Sequence, residues 1–178
     1  MRPLFYLLTL LTIASACEND LEEVNRLFNP EATAVEVARD IEMLYSDSAV
    51  VRVRISGPTM VRHLDKLEPR QEFPDGLMVE FFGPGRRVDS RLTSKYATRL
   101  DKKTEIVVRD SVVWESNNGE RLETEELVWD EKSGKVYSNR FVTLRRPGEI
   151  LYGVGFEAEQ DFSKSRIRAI EGRLRVEE

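Results

Sequence analysis

The chain has 178 residues, 40% of them hydrophobic and 33% charged, with a formal net charge of −5 at neutral pH. This composition excludes a collagen-like or disordered chain and predicts one folded domain, with or without a tail. The acidic balance argues against a chain devoted to nucleic-acid phosphates. One Cys and one His leave too few ligands for a disulfide framework or a zinc site.

The chain opens MRPLFYLLTLLTIASAC. Arg2 precedes the apolar run Leu4–Ile13 and the small residues Ala14, Ser15 and Ala16, the proportions of a secretory signal peptide over residues 1–16. The run is shorter than the roughly 20 apolar residues a spanning helix needs. Cys17 follows directly, as in a bacterial lipoprotein signal, where that thiol receives lipid; Ala14 stands where such signals usually carry Leu. An ordinary signal peptide with an incidental Cys is the alternative. On the lipoprotein reading, residues 17–35 are the lipidated Cys and an acidic, turn-rich tether, Glu18–Thr33, that reaches at most roughly 50 Å when extended. Residues 36–178 form the domain.

Glu31–Tyr45 fits a helical face through Val37, Ile41 and Leu44. It also fits a period of two, and the turn residues Ser46–Asp47–Ser48 favour a strand at Ile41–Tyr45. Val51, Val53 and Ile55 alternate with Arg52 and Arg54, the pattern of a half-buried strand. Gly57–Gly76, with Pro58, Pro69 and Pro74, reads as a long connection with a helical turn around Met60–Lys66. Further strands are predicted at Leu77–Phe82, Arg91–Thr98, Glu105–Arg109, Val112–Ser116, Glu120–Trp129, Lys135–Ser138, Phe141–Leu144, Ile150–Glu157 and Arg166–Val176. The separators Gly83–Pro84–Gly85, Asn117–Asn118–Gly119, Ser133–Gly134 and Pro147–Gly148 supply turn conformations. Leu92, Ala97, Ile106 and Val112 recur thirty residues on as Leu122, Leu127, Val136 and Val142. A weaker third copy begins at Leu151, with Phe156 in the place of Leu127. An all-β protein of stacked antiparallel hairpins is expected, with an apolar interior between them.

Catalytic signals are sparse. His63 sits among charged neighbours with no nucleophile motif beside it. Glu123, Glu125, Glu126, Asp130 and Glu131 could supply a glycosidase acid pair, but acids alternating along a hairpin usually form its solvated face. There is no P-loop and no nucleophile elbow. The expectation is that the protein is not an enzyme and uses no cofactor or metal.

The hairpins carry a resemblance. Gly119–Val142, GERLETEELVWDEKSGKVYSNRFV, resembles the signature of the LptC family, the periplasmic component of lipopolysaccharide export. The matching positions are Leu122, Thr124, Leu127, Asp130, Gly134, Tyr137, Ser138, Phe141 and Val142. Tyr45–Ile55, Asp89–Ala97 and Ile150–Phe162 resemble the same family, in order, so the resemblance spans roughly residues 40–175. It departs at the anchor, because many members keep an uncleaved membrane helix.

The resemblance implies an open twisted β-jellyroll that takes lipopolysaccharide from an inner-membrane ABC transporter of the LptBFG type and passes it to an LptA-like bridge. Such a protein would sit on the periplasmic side of the inner membrane, lipid-anchored. Acyl chains need an apolar slot, since each buried CH₂ is worth about 0.8 kcal/mol. The candidates to line it are Val53, Ile55, Phe81, Leu92, Tyr96, Val108, Val112, Trp114, Leu122, Leu127, Val136, Val142 and Leu144. Arg52, Arg54, Arg86 and Arg87 are candidates for lipid phosphates. The last strand would pair with the bridge and the first with the transporter. The competing expectation is a surface or periplasmic lipoprotein whose β-roll binds a protein or a glycan.

Overall fold

The computed structural model describes residues 35–65 and 67–175. The leader, Cys17 and the tether Glu18–Thr33 lie outside the described residues. Eleven strands form one antiparallel sheet, with no helix among the described residues. They are β1 (Val35–Asp47), β2 (Val50–His63), β3 (Arg70–Phe73), β4 (Leu77–Phe82), β5 (Val88–Ser94) and β6 (Tyr96–Leu100). β7 (Glu105–Ser116), β8 (Arg121–Asp130), β9 (Lys135–Arg146), β10 (Glu149–Glu159) and β11 (Ser165–Arg175) complete it.

The long strands bend near their middles, and the interruptions line up across the sheet. Pairing skips a position at Asp40 and Pro58 between β1 and β2. It skips between Arg109 and Val112 on β7, between Thr124 and Val128 on β8, and between Val154 and Phe156 on β10. Left-handed residues sit at several of these points: Asp40 (φ 48°), Asp110 (φ 63°), Ser111 (φ 56°) and Gly155 (φ 80°). Extra residues of this kind kink a strand and turn its direction.

The bends divide the sheet into two layers. In the first layer Val53–Ser56 of β2 pairs with β4, β4 pairs with β5, and β5 pairs with Val113–Ser116 of β7. In the second layer Val61–His63 pairs with β3, β3 with β6, and β6 with Glu105–Arg109 of β7. Beyond β7, strands β8 to β11 add in sequence order. Ile55, Leu92 and Trp114 from the first layer and Phe73, Ala97 and Val108 from the second join one buried cluster. The architecture is an open, twisted β-jellyroll with its core between the layers.

The repeat is visible in three dimensions. β7, β9 and β11 begin thirty residues apart, at Glu105, Lys135 and Ser165. Ile106, Val108, Val112 and Trp114 are buried on β7, and Val136, Ser138, Val142 and Leu144 occupy the equivalent places on β9. Each hairpin therefore presents the same inward positions to the opposite layer, apolar except where Ser138 replaces Val108.

Three expectations are corrected. Gly57–Gly76 is not one long connection: β2 continues through Gly57 and Pro58 to His63, Met60–His63 is extended rather than helical, and β3 follows. Proline is tolerated there because Pro58 stands at the skipped position, after pairing with β4 ends at Ser56 and before pairing with β3 starts at Val61. No ladder hydrogen bond is lost. Arg91–Thr98 is two strands, broken at Lys95, whose N–H donates to the Asp110 carbonyl at 3.0 Å. Conversely, Glu105–Arg109 with Val112–Ser116, and Lys135–Ser138 with Phe141–Leu144, are each a single bent strand.

Candidate functional site

The space between the layers is where the expected lining residues meet. Ile55, Leu92, Val108, Val112, Trp114, Leu122, Leu127, Val136, Val142 and Leu144 are all buried there, and Val53 and Phe81 pack against them partly buried. Val112, Leu122, Leu127 and Val142 are at most 1% exposed, so they are in contact with other side chains on every side.

Tyr96 is placed differently. It lies outside this cluster and is half-buried, whereas its neighbour Ala97 takes the inward position with no exposure. The break at Lys95 resets the alternation, so the inward sequence runs Ser90, Leu92, Ser94 and then Ala97. A single strand would have carried it on to Tyr96. Burial raises the Tyr96 phenol above its ordinary value, and the nearby Glu72 carboxylate adds to the effect.

Aromatic packing concentrates at one rim. Phe162, in the turn between β10 and β11, is 6% exposed. Its ring stacks on Trp114 with centroids 4.4 Å apart and planes 16° apart. Phe81 meets the same ring edge-on at 6.1 Å, and Phe156 lies 6.3 Å away. Phe162 thus touches the first layer through Trp114 and Phe81 and the second through Phe156. Sequence periodicity passed over it because it sits in the polar run Gln160–Lys164; a lone aromatic among turn residues was the available signal. Phe73, Leu77 and Ile167 are further core residues outside the expected lining, although Leu77 and Ile167 lie in strands expected from the sequence.

Polar atoms inside the core are mostly satisfied. Thr124 Oγ1 donates to the Phe141 carbonyl at 2.9 Å, and Ser138 Oγ accepts from the Arg140 N–H at 3.0 Å. Trp114 Nε1, Trp129 Nε1 and Thr98 Oγ1 are buried without a partner.

The outer face of the first layer carries a charge ladder. Arg54, Glu80, Arg91, Glu115 and Arg121 are successive register partners across β2, β4, β5, β7 and β8. Glu80 is 4% exposed because Arg54 and Arg91 cover it; Arg91 Nη2 donates to it at 2.8 Å, and Arg54 donates through both Nε and Nη2. These bonds, with Arg91 the larger contributor, hold the Glu80 carboxyl below its ordinary value. Arg54 is therefore engaged on the outside and does not stand at a slot mouth, while Arg52, Arg86 and Arg87 are exposed.

Four of the five acids considered for a catalytic pair are engaged, and the fifth, Glu125, is exposed. Glu123 is 2.9 Å from Arg121, Glu126 is 2.8 Å from Arg109, and Glu131 is 3.0 Å from Arg99. Asp130 accepts from Ser133 Oγ at 2.7 Å and from turn amides, bonds that lower its carboxyl. His63 Nε2 lies 3.1 Å from Glu72, which Arg70 holds at 2.7 Å. Two open depressions mark the surface, the second reaching the core side chains Ile41 and Leu77. One is at the first layer's rim beside Arg91, Glu115 and Arg121, and the other lies along the bend beside Asp40, Gly57 and Gly76.

Both ends of the sheet are open among the described residues. β1 pairs only with β2, and β11 only with β10. Val37 and Leu44 on β1 and Ile170 and Leu174 on β11 are more than half exposed. A scan against protein-family profiles finds no match, and a search of curated proteins finds none either.

Proposed function

We propose that this protein is a non-enzymatic lipid carrier of the LptC kind, anchored through Cys17 and passing lipopolysaccharide by its acyl chains along the space between the two layers. The observation that carries the reading is the continuous apolar seam from Ile55 on β2 to Phe156 on β10, enclosed by bent strands and bounded by an unpaired edge at each end. Such edges accept another chain's strand, which supplies the docking for a transporter at β1 and a bridging protein at β11. In this scheme the energy for transfer comes from the transporter.

Photo-crosslinking in cells making lipopolysaccharide tests the proposal. A photoreactive residue at Trp114 or Leu127 faces the seam, and one at Glu123 faces outward. Lipid-shifted bands from the first two and not from Glu123 are the expected result. Folded, anchored protein that gives no adduct at either inward site would overturn it. A second reading, a lipoprotein that binds a protein partner, is favoured by Phe141, which is 48% exposed beside Val154 and Tyr152. Protein adducts at Phe141 in the absence of lipid adducts at Leu127 would select it.

A further inference from the structure

The environment of Phe162 is unusual for a turn residue. Its backbone is left-handed, with φ of 58°, a conformation that only glycine adopts without strain. Its ring is nevertheless buried, stacked on Trp114 and flanked by Phe81 and Phe156. The Trp114 indole N–H, which lies in the ring plane and so to the side of the face that Phe162 covers, is buried with no acceptor. The backbone strain favours withdrawal of the ring, and the aromatic packing opposes it. The turn is held by bonds within itself and by one bond to the neighbouring turn between β8 and β9. Phe162 N–H donates to Glu159 O at 2.9 Å, Glu159 N–H to Lys164 O at 3.1 Å and Gln160 N–H to Gly134 O at 3.1 Å, and Asp161 accepts from Ser163. Withdrawing it does not require breaking the ladder between β10 and β11.

Resting on the lipid-carrier reading, we propose that the slot walled by Phe81, Trp114 and Phe156 is an acyl-chain subsite that Phe162 fills until lipid displaces it. The ligand class is an acyl chain, whose methylenes replace the Phe162 ring against the Trp114 face and between Phe81 and Phe156. Release of the backbone strain on displacement offsets part of the packing lost by Phe162.

The chain has two tryptophans, so Trp129→Phe leaves Trp114 as the sole fluorophore at the site. The probe is a lysophospholipid with a dibrominated stearoyl chain, which quenches only at close range. Phe162→Gly empties the slot and suits the left-handed backbone, whereas Phe162→Leu keeps an apolar plug. If the ring is withdrawn in roughly one molecule in ten, Phe162→Gly binds about tenfold more tightly by Trp114 quenching, because the apparent affinity scales with the competent fraction. Phe162→Leu titrates like its parent. Superimposable curves for Phe162→Gly and the parent would overturn the proposal.

A second measurement uses the native sequence. Saturating probe accelerates chymotryptic cleavage after Phe162, and an unchanged cleavage rate with bound probe would also overturn the proposal. Photo-crosslinking at Leu127 separates the two failures. Adducts there without Trp114 quenching reject the subsite and leave the carrier reading standing, while absence of both rejects the carrier reading as well.

Discussion

The hairpin β1–β2 and the hairpins from β7 to β10 are built from the same alternation of apolar and polar residues, yet they bury it very differently. β1 contributes only Ile41 and Met43 to the core, both partly buried, and leaves Val35, Val37, Leu44 and Tyr45 exposed. β8 buries Leu122, Thr124, Leu127 and Val128 within ten residues. The difference is one of neighbours. β8 has a strand on each edge and the opposite layer across from it, whereas β1 has β2 alone. Alternation therefore specifies which residues share a face, and position in the sheet decides whether that face is covered. An apolar edge left uncovered at both ends is costly for a protein that works alone and useful for one that joins others end to end.

The sharpest way to break this comparison is a pair of truncations. Leu127→Ala removes a fully enclosed side chain and is expected to cost about 4 kcal/mol in urea unfolding, the transfer loss plus the cavity left behind. Val37→Ala, equally apolar but 60% exposed, is expected to cost under about 0.5 kcal/mol. Similar costs at the two sites would mean that β1 is covered in solution by another copy or another chain.

The next effect lies on the outer face. Glu80→Gln removes the charge that binds Arg54 and Arg91 and is expected to cost about 2 kcal/mol at pH 7, in the range of charge-assisted hydrogen bonds. Its pH dependence has a definite sign. The arginines lower the folded-state value of Glu80, so folding favours the carboxylate. The contribution is complete above the ordinary glutamate value of about 4.3 and is lost as pH falls through the lowered value. The stability difference between the native chain and Glu80→Gln should therefore be constant from pH 7 to about 5 and should shrink at lower pH. A gap that widened on acidification would show that the pair opposes folding.

Much of the fold was legible because turns and repeats are local. Asn117–Asn118–Gly119 and Ser133–Gly134 announced their hairpins, and the thirty-residue offset located Leu122, Leu127, Val136 and Val142 before any contact was known. The bends were not legible. Pro58 reads as a breaker in one dimension, and only the gap between the β4 and β3 pairings shows why a strand can pass through it. Tyr96 was assigned inward because parity was carried across Lys95, where the Asp110 carbonyl ends the strand. Phe162 was passed over because its burial depends on a rim formed by β4, β7 and β10, far apart in sequence. The face of a strand can be read from spacing, but a change of face at a bend is set by the partner strand.

The bends supply the smallest effect. At the bend where β8 leaves the ladder between Thr124 and Val128, Thr124 Oγ1 donates to the Phe141 carbonyl on β9 at 2.9 Å. Ser94, thirty residues earlier, holds its own bend by donating to the Tyr96 carbonyl at 3.1 Å. Thr124→Val keeps the shape and β-branching but removes that donor from a site beside Ser138, which has no exposure. The expected cost is about 1 kcal/mol by chemical denaturation. Ser94→Ala, removing the hydroxyl at the equivalent position of the repeat, whose bond is local where that of Thr124 crosses to β9, is expected to fall within a few tenths of that value. Equal costs would make the hydroxyl a repeated bend element, carried along the roll with the apolar positions. If Thr124→Val were neutral while Ser94→Ala destabilised, the bend in β8 would be set by packing of Leu122 and Leu127 alone, and the two hairpins would turn for different reasons.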